Sequence, residues 1–483
     1  MKKHPITTSK LSEPSYFLNF LLFKGTSPQF NFNFLCCTLI CILPFFTSCK
    51  HNSKPEQYNA LAGNALLFHN CSEQLTNVIV FDIFKPPVAS RIYTYSYLAA
   101  YETMRQQYPS YKSMAGIINQ FKIVPKPKKG VEYCFPLAGM AAFNRVGEQL
   151  TFSADLWDTF NKKFYPQFEK MGIPDDVYKR SVEYGEEVAR HVLKYADSDN
   201  YKQTRGVKFP VINLPGRWVP TPPAYADACE PVWTKTRHFL IDSSSQFKPA
   251  TCAMYDMNPN SKYFHLLKQV YDISKNLTQD QKNIAAFWED NGFVTHTYGH
   301  AMFATKKMTP PGHWLAIVRT VAKLKKLDMM RSAQAYVITS LAMHDAFIMS
   351  WDEKYKSNRV RPITVIEQYF DPNWMSFLQT PSFPEYVSGH SAISAAAGTV
   401  LTRIVGDNIA FTDSTENAYG FSVRSFTSFK QAYHETNDSR VYGGIHYRDG
   451  ADEAMKQGEK VGNLVLKKLG ADNDQYLTAN TKR

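Results

Sequence analysis

Apolar residues recur at helical spacing through most of the chain and alternate in the manner of strands almost nowhere. The pattern predicts helices over residues 89–105, 137–170, 175–196, 263–273, 278–291, 314–325, 329–351, 391–405 and 451–469. Pro174, followed by Asp175 and Asp176, marks one helix start, because proline loses no internal hydrogen bond in a first turn and acidic groups suit the positive dipole end. The small-residue run from Ser391 to Ala397 favours a helix that opens at Ser388 and Gly389. Residues 125–130 read as a loop. Residues 197–228, rich in Pro, Gly and Asp, read as an ordered loop whose Trp218 and Tyr225 want burial. These elements predict an all-α fold of packed helical bundles, with an N-terminal helical region over 59–200, a second helical region over 201–470 and a polar tail over 471–483.

The first residues follow a different pattern. An apolar run over 34–46 is too short to span a bilayer comfortably, and Thr47, Ser48 and Cys49 follow it. This reads as a lipoprotein-type signal peptide over 1–48, with Cys49 as the lipidated first mature residue and a polar tether over 49–58. The expectation is export and lipid anchoring to a bacterial membrane, periplasmic or at the cell surface. An oxidising compartment permits disulfides, and Cys71, Cys134, Cys229 and Cys252 leave three pairings open. Of 483 residues, Lys and Arg exceed Asp and Glu by a net +12, yet the charges are scattered. That implies a solvated basic surface rather than a nucleic-acid patch.

The chemistry-bearing residues gather late in the chain, in three short pieces. Lys354 and Arg361 are seven residues apart, which on a continuous helix puts both cations on one face, with Lys356 and Arg359 on another, solvated one. Ser388, Gly389 and His390 stand at a predicted helix start, where unpaired N–H groups and the dipole attract an anion and glycine admits a close ligand. The stretch from Ser439 to Asp449 adds Arg440, His446 and a carboxylate. Imidazole serves as a metal ligand, a nucleophile and a proton shuttle, so His390 and His446 are the candidates for chemistry. His296 and His300 are i,i+4 apart, but Gly299 weakens a helix there, and pocket lining or core suits them better than a metal site.

The order Lys-x6-Arg-Pro, Ser-Gly-His, Ser-Arg-x5-His resembles the signature shared by vanadium-dependent haloperoxidases and type 2 phosphatidic acid phosphatases. Residues 342–354, 310–314 and 218–225 look like bacterial haloperoxidase-type members as well. By that resemblance His446 bonds the central atom and His390 is the acid-base group opposite it. Lys354, Arg361, Ser388, Gly389 and Arg440 hold the oxyanion, and Lys354 also polarises peroxide. Trp351 and Phe383 line the halide side, in a pattern nearer to chloroperoxidases. The sequence departs from the family at Val387, where Pro is usual, and at Gly450, where Asp is usual. Asp449, one residue earlier, is the candidate acceptor behind His446. The implied function is an exported haloperoxidase that uses vanadate, hydrogen peroxide and a halide. The alternatives are an acid phosphatase acting on a phosphate ester through a phosphohistidine, with no cofactor, and a non-catalytic oxyanion-binding lipoprotein. Length favours the first, since the simple phosphatases are much shorter and the membrane ones need several spanning helices.

Overall fold

The computed structural model describes residues 53–472; the leader, Cys49, the first part of the tether and nearly all of the polar tail lie outside them. The first helical set comprises α1 (Pro55–Ala62), α2 (Ala65–Phe81), α3 (Pro86–Met104), α4 (Phe135–Leu150), α5 (Ala154–Phe164), α6 (Pro166–Glu169), α7 (Asp175–Asp197) and α8 (Tyr201–Thr204). The second comprises α9 (Lys262–Lys275), α10 (Gln279–Phe287), α11 (Pro310–Leu324), α12 (Met329–Ser357), α13 (Pro362–Tyr369), α14 (Gly389–Ile404), α15 (Phe429–Tyr442) and α16 (Arg448–Leu469). Strands are confined to two small antiparallel pairs, β1 (Phe293–Tyr298) with β2 (Ala301–Lys306) and β3 (Phe411–Asp413) with β4 (Arg424–Phe426). The all-α expectation holds. Among the described residues no helix is long and apolar enough to cross a membrane.

The two sets share one core. Helix α12 is buried on every side along most of its length, its apolar residues interspersed with buried polar ones such as His344 and Asp345. Tyr336 of α12 stacks on Tyr97 of α3 with ring centroids 4.6 Å apart, and Phe68 of α2 meets both rings edge-on. The two expected helical regions therefore meet across a continuous apolar seam rather than a linker. Helix α14 lies in a nest of α12, α15 and α16. Its small residues let α16 approach closely: a Cβ on Gly458 would lie 2.0 Å from the Ala392 carbonyl oxygen, and one on Gly462 would lie 2.9 Å from that of Ala396.

Several expectations need correction. Lys354 and Arg361 do not share a helix, because α12 stops at Ser357 and Asn358 turns left-handed at φ +48°. Asparagine tolerates that conformation, and Pro362 holds Arg361 extended before α13 opens. The 137–170 helix breaks at extended Thr151, and the 278–291 helix ends at Phe287. The tether turns helical from Pro55, and Tyr58 is buried there. Trp218 is fully buried as expected, but Tyr225 is 65% exposed. The four described cysteines are free thiols, three of them buried.

Replacing Gly458 by alanine should lower stability by about 1–3 kcal/mol, because the added methyl meets backbone that cannot move aside. A denaturant midpoint unchanged from the parent protein would contradict this packing.

Candidate functional site

Helix ends and extended loops, rather than one helix face, assemble the site. Lys354 comes from the last turn of α12, Arg361 from the residue that caps α13, and Arg440 from the last turn of α15. All three are buried. Lys354 Nζ donates to the Pro384 and Glu385 carbonyls, each at 3.1 Å. Arg361 donates from Nε to Phe383 O at 2.9 Å and from Nη1 to Ile445 O at 2.7 Å, while its buried Nη2 has no partner. Arg440 donates to the Ser439 hydroxyl and to the Trp288 carbonyl. No ion pair joins any of the three to a carboxylate among the described residues. Burial accordingly pushes both guanidinium groups down to about 10, and burial together with the Arg361 charge pushes the Lys354 ammonium well below its usual range.

Such a cluster calls for an anion. Ser388 caps α14, its hydroxyl accepting from the Ser391 N–H at 3.2 Å. The first-turn N–H groups of Gly389 and His390 have no carbonyl within the helix to bond, and the dipole end points the same way. Gly389 is required for space: a Cβ there would lie 2.8 Å from the Trp351 ring. Unpaired donors, three cations and a helix start suit a tetrahedral oxyanion such as vanadate or phosphate.

The two histidines face this cradle with different backing. His446 donates from Nδ1 to Glu385 Oε1 at 2.7 Å, and Arg361 Nη1 reaches its Nε2 at 3.2 Å. Burial, with Arg361, Lys354 and Arg440 nearby, pushes its pKa well below the usual value, so the ring is neutral with a lone pair on Nε2. His390 Nε2 lies 2.9 Å from Asp290 Oδ2, out of line for a hydrogen bond. Burial and Arg440 push His390 down to about 4, against the pull of Asp290.

Asp449 does not hold His446. It takes both ends of the Arg359 guanidinium, at 2.8 and 2.7 Å, and Arg359 in turn pairs with Glu385. The carboxylate behind His446 is thus Glu385, fully buried and overlooked in the sequence although it stands three residues before Ser388. Gly450 explains the exchange: a Cβ there would lie 2.4 Å from Glu385 Oε1, so the usual aspartate has no room. Arg359, expected to be solvated, is buried as the bridge between the two carboxylates. Lys356 is exposed as expected.

Trp351 and Phe383 come together with ring centroids 5.0 Å apart, and Lys354 Nζ lies 4.7 Å from the Phe383 ring centre. They wall a cavity of about 500 Å³ that also reaches Gly389, His390, Arg440 and His446. The site residues expected from the sequence therefore converge, with Asp449 two bonds further out than expected, behind Arg359 and Glu385. Asp290, next to His390, was also missed, since a lone aspartate after a helix carries no signal. His296 and His300 are exposed on and beside β1 rather than in the core.

Comparison with known proteins agrees with this geometry. The family model for the VCPO second helical-bundle domain matches residues 334–373 and 370–472. The chain is similar to the first bacterial vanadium-dependent iodoperoxidase of known structure, at 40% identity and a TM-score of 0.80, over 84% of this chain and 97% of that one. It shares its fold with the holo form of a bacterial vanadium-dependent chloroperoxidase, at 16% identity and a TM-score of 0.61, over 82% of this chain and 94% of that one. The apo form matches at the same identity and TM-score, over 96% of its length. A comparison with curated proteins finds no match.

Changing Glu385 to Gln should weaken oxyanion binding by about 10- to 100-fold, as removing the negative charge of a carboxylate that orients a ligating imidazole generally does. Equilibrium dialysis with vanadate measures it, and an unchanged affinity would sever Glu385 from the site. Binding should also take up protons near pH 7, because an anion beside His390 favours its charged form. Calorimetry in buffers of different ionisation enthalpy reads that uptake.

Proposed function

Because the chain belongs to the vanadium-dependent haloperoxidase superfamily, we propose that it oxidises a halide, iodide foremost, with hydrogen peroxide at a vanadate held by His446. The observation that carries the reading is His446 itself, a buried neutral imidazole whose unprotonated Nε2 meets Arg361, with Lys354 and Arg440 nearby and none of the three in an ion pair. Bound vanadate supplies a Lewis acid that activates peroxide without changing its own oxidation state. The protein does the rest. Lys354, Arg361 and Arg440 offset the anion's charge, and the first turn of α14 offers N–H donors to its oxygens. Glu385 keeps the proton on Nδ1 of His446, so that Nε2 is always the free atom. His390, neutral near pH 7 while the site is empty, is the group that accepts or returns a proton on the side of the cradle opposite His446. Trp351 and Phe383 leave a halide a mostly apolar approach, where it sheds water before it reacts.

Iodide is favoured by the likeness to an iodoperoxidase, which outweighs the chloroperoxidase leaning of Phe383. Iodide also gives up electrons more readily than bromide or chloride, so it demands least of the site. The same cradle suits phosphate, and phosphate-ester hydrolysis is the competing outcome.

Protein from residue 50 onward should form triiodide from iodide and peroxide only after vanadate is added, and His446→Ala should reduce this to background. Release of phosphate from an aryl phosphate, inhibited by vanadate, would make the protein a phosphatase instead. Silence in both assays with tight phosphate binding would leave an oxyanion-binding role. We further place the enzyme outside the cytosol on its leader and Cys49, which lie outside the described residues. Cys49→Ser should abolish lipid labelling.

A further inference from the structure

Beside His390, reaching inward from the cavity wall at Asp290 and Glu289, lies a second group of charges that the proposed mechanism does not use. His313 on α11 is fully buried between two aspartates, with Nδ1 2.8 Å from Asp290 Oδ1 and Nε2 2.8 Å from Asp413 Oδ2. Carboxylates only accept, so both ring nitrogens donate and His313 is an imidazolium. The two carboxylates hold its pKa well above the usual value against the opposing effect of burial. Lys307, also buried, lies 3.2 Å from Glu416 Oε2 and 3.4 Å from Glu289 Oε2. Arg440 faces Asp290 and Glu289 from α15, and Tyr419 stands beside Glu416 and Lys307.

The charges do not balance with every acid ionised. Asp290, Asp413, Glu416 and Glu289 face the cations His313, Lys307 and Arg440, which leaves one negative charge in excess in a buried space. Asp290 is held below its usual range, despite burial, by His313 and His390. Asp413 accepts from His313 and from the Thr415 N–H at 2.9 Å. Glu289 is partly exposed. Glu416 is fully buried and neither of its oxygens completes a hydrogen bond, Lys307 being out of line. The spare proton therefore belongs on Glu416. Burial first, and then Asp290, raise its pKa to about 7 against His313 and Lys307. A Glu416 oxygen, an Asp290 oxygen and a His313 nitrogen all lie within 4.8 Å of one another. Asp290 Oδ2, the atom 2.9 Å from His390 Nε2, has no hydrogen-bond partner of its own.

We propose that Glu416 stores the proton that halide oxidation consumes and delivers it through Asp290 to His390, with His313 fixing Asp290 between them. The inference rests on the haloperoxidase reading. One halide, one peroxide and one proton give one hypohalous acid and one water: the peroxide O–O bond breaks, the halide loses two electrons to form the new halogen–oxygen bond, and the proton completes the water. Glu416 is a positioning and proton-supplying residue, since it touches neither substrate nor oxyanion. It carries its proton below about pH 7 and loses it above, so supply fails as pH rises through that value.

The test compares the full-length protein with Glu416→Gln and Glu416→Asp. Infrared difference spectra of the vanadate-free protein should show a protonated-carboxyl band that titrates near pH 7, is absent from Glu416→Gln and returns, shifted in pH, in Glu416→Asp. With vanadate, Glu416→Gln should lower kcat for iodide oxidation about tenfold or more at pH 6, with the KM for peroxide little changed and the alkaline fall near pH 7 gone. A wild-type protein with no such band overturns the proposal even if the glutamine variant does not fold. So does a glutamine variant that keeps the band or the wild-type pH profile. Active wild type with an unchanged glutamine profile defeats this inference alone, whereas inactive wild type defeats the haloperoxidase reading with it.

Discussion

Three buried cations with no carboxylate to pair with are the constraint on which this structure turns. Placing an ammonium and two guanidinium groups out of water costs several kcal/mol per ion, and backbone carbonyls recover only part of that. Lys354 takes two carbonyls, Arg361 two and Arg440 one, so each charge is solvated by the protein and none sits in an ion pair, although Arg440 faces Asp290 and Glu289 at longer range. Such a site is stable only in a scaffold with stability to spare, here a continuous apolar core through both helical sets. It is more stable with an anion inside. Binding to the folded state alone raises its stability by mass action, so occupancy and folding are coupled through the same three side chains.

The carboxylates are arranged to leave that charge uncancelled where it is needed. Glu385 stands close to the cluster, yet one oxygen is committed to His446 Nδ1 and the Tyr447 N–H and the other to Arg359. Arg359 is held in turn by Asp449. The result is a chain of alternating charge that ends on the imidazole and fixes which nitrogen is bare. Supplying the carboxylate from the loop before Ser388 instead of from the position four residues after His446 gives this outcome, with Gly450 making the space. Glu385 thus fills, from another place in the chain, the role that the family resemblance assigns to the position of Gly450.

What could be read from the sequence follows from how local each signal is. The helices and the Ser388 cap were legible because helical periodicity and capping are short-range. So were the cations and histidines of the three motifs, whose spacing is local. Glu385 and Asp290 were not, since their roles depend on partners 61 residues away at His446 and 23 away at His313. Arg359 was misassigned because its face was inferred from a helix that Asn358 in fact ends. Asp449 was named for its distance along the chain from His446, when free volume beside Glu385 decided the matter.

The same small residues that close the fold also place the site. Helix α14 can carry its first turn into the pocket only because Gly389 admits the Trp351 ring and because Gly458 and Gly462 let α16 press against its far side. The Ser388 N–H donates to the Gly450 carbonyl at 2.9 Å, which ties the start of α14 to the start of α16. His446 lies just before α16 and His390 just inside α14, so the separation of the two histidines is set by the α14 to α16 contact rather than by any loop. A shift along that contact would move the anion-binding helix end and the His446 lone pair relative to each other. Catalytic geometry here is therefore a property of core packing, held by the least reactive side chains in the protein.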